Sequence, residues 1–502
     1  MDPTPRRQAA RRGAPGAWRP LALGVALVVL ASSATTVVAG SSAVPSGPAP
    51  ALVGTTAIAA QARARKPTPT PTPTPSLTTI SNIVRHVAVT GLDSNDGSQA
   101  KPWRTIQRAA DATPAGGIIS IHGGTYAPFS ITRSGLIVQA APGEAVTVSG
   151  GTYVVLVRGV TSATIRGLII RNAPDLWGSG VRIESSKNVL VERNLIRDNH
   201  SFGVKVKGTT AVTIRDNEIT KNDTGIELSG AVGGTVVAGN DIHHNDRMVT
   251  SSRGGNAIVF TKTTGRITAV GNRIWGNRAP HLDDAGYDGG AFEVYAASDL
   301  VITSNLLWDN NNAMETGTDG TAPCSRIQFT RNTILGLGTV AGETQGMILR
   351  CADTSTVAHN VFDGVDGFAF YLSNSGGYAG SIAGLRIADN IVVRGRAYSL
   401  GSGVPSGLLI DYNLVYPGGS QATYGDRVAY VSGRGNTSSL AEFRSWTGYE
   451  THGLQADPQF VDHAAGDYRL QATSPAVDAG LTVTGEPYAG TAPDLGAHEL
   501  TP

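Results

Sequence analysis

Six acidic side chains crowd one stretch of the 502-residue chain: Asp283, Asp284, Asp288, Glu293, Glu315 and Asp319. Oxygen donors at that density suit Ca²⁺, which takes six to eight of them. Asp283, Asp284 and Asp288 are the candidate metal ligands. Glu293 and Glu315 suit a second chemistry. Two carboxyls about 5–5.5 Å apart cleave a glycosidic bond with retention, and wider pairs with inversion. Charge on one keeps a proton on the other. His281, beside Asp283 and Asp284, is a further acid/base candidate. Lys205, Tyr295, Arg350 and Tyr287 are candidate substrate contacts. Their cations would meet an anionic polymer, and their rings would stack on sugars. Asp and Gly also make turns, so a purely structural role for the stretch stays open.

The elements that must position these residues repeat. Short apolar runs end in Asn followed by an apolar residue, as in VLVERNLI, VTIRDNEI, ITAVGNRI and LRIADNIV. The Asn residues are Asn194, Asn217, Asn240, Asn272, Asn305, Asn332, Asn360, Asn390 and Asn413, at spacings of 23, 23, 32, 33, 27, 28, 30 and 23. Between them lies a second run with alternating apolar positions, such as GVRIES, GVKVKG and AFEVYA. Several short strands per repeat, without helices between them, predict a parallel β-solenoid whose coils bury their apolar faces by stacking. The Asn residues should then form an amide ladder at an inward turn.

Alternation predicts two outward columns on the second run. One is Arg182, Lys205, Glu227, Val259, Glu293, Glu315, Ile348 and Tyr371. The other is Glu184, Lys207, Ser229, Thr261, Tyr295, Gly317, Arg350 and Ser373. The repeats ending at Asn272 and Asn305 carry insertions before that strand, at His243–Asn256 and Trp275–Gly290. A third insertion, Thr316–Pro323, follows it in the next repeat. Two loops on one rim would wall a cleft, and long loops on a rigid scaffold tend to carry function.

Lys and Arg total 40 and Asp and Glu 39, a net charge of +1, which argues against a nucleic-acid partner held by a basic field. Charged residues are only 16% and hydrophobic ones 40%, so a large core is affordable. Two Cys exclude a disulfide-dense scaffold. Residues 1–43 read as a signal peptide or N-terminal anchor: Arg6, Arg7, Arg11, Arg12 and Arg19 precede an apolar stretch. Residues 44–76 form a Pro/Thr-rich linker containing KPTPTPTPTPS. The solenoid is expected over 77–415 and a tail packing on it over 416–502. Export permits a disulfide, and Cys324 and Cys351 lie 27 residues apart, about one coil, which predicts a bridge.

The repeat resembles the right-handed parallel β-helix, or pectin-lyase-like, superfamily over about Val87–Val415. The entry PWRTI (Pro102–Ile106) looks like that family's N-terminal cap, leading into an amphipathic helix with Ile106, Ala109 and Ala110 on its apolar side. DPQF, DYRL, SPAVDAG and DLGAHE are similar to the tails of secreted β-helix proteins. The resemblance implies polysaccharide processing, foremost a Ca²⁺-assisted lyase of uronate polymers. In such enzymes Ca²⁺ acidifies the C5 proton, and a Lys or Arg removes it. Lys262 and Arg253 are the candidate bases, with Lys205 and Arg350 behind them. A Lys base needs its pKa lowered, which a nearby cation does. The run NRAPHLDDAGYDGG resembles Asp-rich calcium loops of some lyases. The paired Asp-Asp and Gly-His motifs of polygalacturonase-like β-helices are missing. The alternatives are a glycoside hydrolase using Glu293 and Glu315, or a non-catalytic carbohydrate-binding surface protein. The expected setting is extracellular, secreted or surface-tethered, as a monomer whose one membrane contact would be an uncleaved N-terminal segment.

Overall fold

The computed structural model describes residues 83–250, 253–280, 287–336, 345–365, 367–374, 376–417, 426–483 and 487–500. The expected signal segment and linker lie outside them, as do His281, Asp283 and Asp284. Among the described residues, no helix is long and apolar enough to cross a membrane.

The chain winds into a parallel solenoid with three sheets of 13, 12 and 13 strands, met in that order along each coil. One coil shows the plan. Val189–Glu192 lies in the first sheet, Leu195–Arg197 in the second and Phe202–Lys207 in the third. Each pairs in parallel with its equivalent on the next coil, at Thr213–Arg215, Glu218–Thr220 and Thr224–Ala231. Inward residues such as Val191, Ile196 and Val204 are fully buried, while alternate residues face out. The expected alternation is thus the core pattern, and stacking supplies the burial that one coil cannot.

Corners make the winding possible. The residue before each ladder Asn is left-handed, as at Arg193 (φ 54°), Asp216 (55°), Ser304 (55°) and Arg331 (53°). The following Asn turns inward and satisfies the corner. Asn217 donates its backbone N–H (3.1 Å) and Nδ2 (3.0 Å) to Asn240 Oδ1, and Nδ2 also reaches Val191 O at 2.9 Å. The same bonds run from Asn194 to Asn413, the predicted ladder. Its last rung is not an Asn: Asn413 donates its N–H and Nδ2 to the carboxylate of buried Glu450.

A second ladder went unread in the sequence. Asn199, Asn222, Asn245, Asn277 and Asn310 line the corner between the second and third sheets, each donating to the next (Asn199 Nδ2 to Asn222 Oδ1, 3.0 Å). Its signature was present as Asn-x-apolar-x-x-Asn, in NLIRDN, NEITKN, NDIHHN, NRIWGN and NLLWDN.

The helix Ile106–Ala112 closes the N-terminal end with Ile106, Ala109 and Ala110 buried, and Thr105 accepts from the Arg108 N–H as its N-cap. At the other end, Leu440–Thr447 buries Leu440 and Phe443. The tail then covers the second sheet. Phe460, Tyr468, Leu470 and Leu495 pack on Trp308, Leu335, Val361 and Ile391. Buried Asp363 anchors it, accepting from Arg394 (2.6 Å), His463 (2.9 Å) and Tyr468 (2.6 Å). The outer face of the third sheet keeps its solvent-facing columns.

Candidate functional site

The third sheet carries the first predicted column in register: Arg182, Lys205, Glu227, Val259, Glu293, Glu315, Ile348 and Tyr371 face one another coil by coil. Adjacent strands lie about 4.8 Å apart, so Glu293 and Glu315 are direct neighbours. Asn256 donates Nδ2 to Glu293 Oε2 at 2.7 Å. Arg350 donates to Glu315 Oε1 at 2.6 Å. Glu315 keeps 33% of its side-chain surface, facing the groove, and is enclosed elsewhere. That enclosure raises its pKa; Arg350 opposes the rise and the Asp288 carboxylate adds to it.

One rim rises from the corner between the second and third sheets. Met248–Thr250 pairs antiparallel with Arg253–Gly254, and Ala279–Pro280 with Tyr287–Asp288. Their bases stack backbone on backbone, Gly290 N–H donating to Gly255 O at 3.0 Å. Gly255 is left-handed (φ 73°), and a Cβ there would meet Ala279 N at 2.4 Å, so no other residue fits. Arg278 bonds Asp309 at 2.7 Å and lies over the Tyr287 ring at 5.6 Å.

The opposite rim is the Thr316–Pro323 insertion. The Cys324–Cys351 bridge closes its far end between adjacent coils (Cα–Cα 5.3 Å), the predicted disulfide. Asp319 on this loop takes Lys262 Nζ at 2.7 Å, which, with Thr321, holds its carboxyl well below the usual range. Lys262 comes from two coils away. It is left-handed (φ 51°) and lies where the strand slips register between Ser229 and Ala231. Such a bulge re-aims a side chain. It sends Lys262 across Tyr295, whose ring lies 5.9 Å from Nζ. Tyr295 is 7% exposed under that bridge; burial first, then Asp319, pushes its hydroxyl up to about 12.

The predicted residues therefore divide. Glu293, Glu315, Arg350, Asp288, Lys262 and Tyr295 come together on four adjacent coils. Lys205 lies on the same face, three coils from Glu293, paired with Glu227 at 3.0 Å. Trp275 stacks on Trp308 (5.4 Å) and His243 (4.4 Å) on the second sheet, away from the groove. Asn256 and Arg278 escaped the sequence reading; the signal for Asn256 was its place at the start of a strand, three residues before Val259 of an outward column.

Comparison with known proteins agrees with this architecture. The family described as "Right handed beta helix region" matches residues 138–307, and the "Protein of unknown function (DUF1565)" family residues 89–138. The solved structure of XylC with xylose covers 70% of this chain and 86% of its own, at 13% identity and a TM-score of 0.51. The chain is a right-handed parallel β-helix. The crystal structure of pectate lyase Pel9A aligns over 84% of this β-helix protein and 98% of its own chain, at 17% identity and a TM-score of 0.46. The uncharacterized protein YwoF of Bacillus subtilis is 23% identical over 469 residues, 78% of this chain and 91% of its own. Pectate lyase PEL9 of Emericella nidulans is 29% identical over 148 residues, 25% of this chain and 36% of its own.

The Asp288 carboxylate is near enough to Glu315 to raise its pKa. Among the described residues, no three His, Cys, Asp or Glu side chains are clustered as a metal site. Asp288 Oδ1 accepts from its own Gly289 N–H at 2.8 Å.

Proposed function

We propose that this β-helix is a carbohydrate-active protein that lays an acidic polysaccharide along its third sheet and breaks glycosidic bonds beside Glu293 and Glu315. The observation that carries the reading is their register on adjacent coils, with Glu315 raised and Lys262 and Arg350 flanking. The stretch similar to a pectate lyase favours uronate polymers and β-elimination.

In that reaction a base takes the C5 proton, a C4–C5 double bond forms, and the C4–O bond breaks as the leaving oxygen gains a proton. Glu315, whose enclosure raises its pKa, is the donor. Lys262 is the base, with Arg253 as the alternative. Lys262 Nζ is held by Asp319 at 2.7 Å, so Lys262 acts once that carboxylate turns away. Arg350, Lys205, Tyr287 and Tyr295 hold the chain in place. Asp283, Asp284 and Asp288 would hold Ca²⁺, which when bound neutralises the uronate carboxylate. The disulfide and the N-terminal segment support an extracellular setting for a monomer, secreted or tethered.

Hydrolysis is the second reading. The Glu pair itself favours it: Glu315 would protonate the leaving oxygen, and Glu293 would attack or activate water. The test follows ultraviolet absorbance and reducing ends together, on uronate and neutral polymers, with Ca²⁺ or chelator. Absorbance gained and then lost with chelator is expected. Reducing ends without absorbance would replace elimination by hydrolysis. Silence on every polymer would favour a binding protein.

A further inference from the structure

The third sheet changes character along its length. Beside Glu293 and Glu315 the face is acidic: Asp288, Glu293, Glu315 and Asp319 against Lys262 and Arg350. Four strand spacings toward the N-terminus, about 19 Å away, the balance reverses. Arg158, Arg182, Lys205 and Lys207 stand there against two carboxylates, Glu184 paired with both arginines and Glu227 paired with Lys205.

Trp177 lies at this end, 58% exposed, and Leu176 beside it is 43% exposed. They sit on the corner Ala173–Gly178, on the same rim as the two insertions over the acidic centre. The next two corners, 198–201 and 221–223, are shorter. A longer corner that carries an apolar ring into water needs a reason, because exposure forfeits the ring's burial energy. This corner is also firmly built. Asp175 bonds Thr152 through their side chains, Ser201 bonds Leu176 O, Gly178 N–H donates to Asp175 O at 2.8 Å, and His200 N–H donates to Ala173 O at 2.8 Å. Bonds from the coils on both sides thus hold the corner that presents Trp177. The first insertion leans the same way: Arg247 reaches Asp198 at 3.8 Å, where Arg171 (3.9 Å) and Arg197 (3.6 Å) also converge, leaving that rim cationic.

We propose that Trp177, with Arg182, Lys205, Lys207 and Arg158, forms an accessory subsite for an acidic polysaccharide, separate from the bond-breaking centre. The Trp177 ring stacks on a sugar ring, and the cations receive the carboxylates of that ring and its neighbours. Its role is retention of long chains, with the acidic centre about 19 Å further along the same groove. The subsite rests on the polysaccharide reading above.

The test measures binding apart from turnover. Retardation in gels containing polygalacturonate is compared with gels containing a neutral xylan, for the full chain carrying Glu315→Gln and for the same chain with Trp177→Ala, Trp177→Phe or Lys207→Gln. Retention by polygalacturonate alone is expected, weakened by salt. Trp177→Ala should weaken it about tenfold, Trp177→Phe less, and Lys207→Gln two- to threefold, with melting temperatures unchanged. Equal retention of all variants, equal retention by xylan, or a Trp177→Ala loss that tracks a lower melting temperature would overturn the subsite. Selective retention lost in Trp177→Ala, with no cleavage by the wild type, would remove the cleavage reading and leave the subsite. Cleavage with a Trp177→Ala variant indifferent in the gel would do the reverse.

Discussion

Glu315 and Glu450 are both carboxyls that burial pushes upward, and they do different work. Glu315 opens to the groove, shares its surroundings with Asp288 and Arg350, and has Glu293 on the neighbouring coil. Glu450 is sealed below the last coil, raised to about 7, and every contact it makes completes structure. Asn413 N–H and Nδ2 donate to it, and so does the Tyr398 hydroxyl at 2.5 Å. It stands where the next ladder Asn would be. A perturbed carboxyl is therefore not a functional sign by itself. Access to a groove and a second titratable neighbour distinguish Glu315 from Glu450 and support its proposed role as the acid.

Four changes would break or sharpen this contrast. The largest effect expected is on turnover: Glu315→Gln should lower kcat by about 10²–10³-fold, with the melting temperature within about 2 °C of wild type. A stable, fully active variant would return Glu315 to structure. Asn272→Ala, inside the ladder, should do the opposite. It removes the acceptor of the Asn240 N–H and of one Asn240 Nδ2 bond, and the Nδ2 donor to Val237 O. A loss of about 3 kcal/mol or more is expected from the denaturation midpoint, each unmet buried group costing about 1–3 kcal/mol.

Glu450→Gln separates charge from shape. The folded protein holds the Glu450 proton up to about pH 7, while the unfolded chain releases it near 4.5. The folded state thus binds more protons in that window, and stability falls as pH rises through it. The wild type should lose on the order of 2–3 kcal/mol relative to Glu450→Gln between pH 4.5 and 7.5. Midpoints that stay parallel for the two proteins across this range would show that the carboxylate is tolerated as ionised. The smallest effect belongs to Asp288→Asn. Removing that neighbouring charge lets the Glu315 pKa drop, so the alkaline limb of the rate–pH profile should move to lower pH by a fraction of a unit. An unmoved limb would take Asp288 out of the site.

Periodicity made the scaffold legible. The Asn ladder, the outward columns and the disulfide partners all follow from residues that recur at one place on each coil, because stacking turns sequence spacing into spatial register. The second ladder was equally present, five residues after the first. What the sequence could not determine is how side chains from different coils meet. Lys262 reaches Asp319 across Tyr295 only because a bulge re-aims it, and no repeat records a bulge. Glu450 completes a ladder from 37 residues beyond its last Asn, a match made by the tail's path rather than by the period. Which carboxyl opens to the groove and which is sealed is likewise a tertiary decision, because desolvation depends on everything packed around the group and not on the residues beside it in the chain.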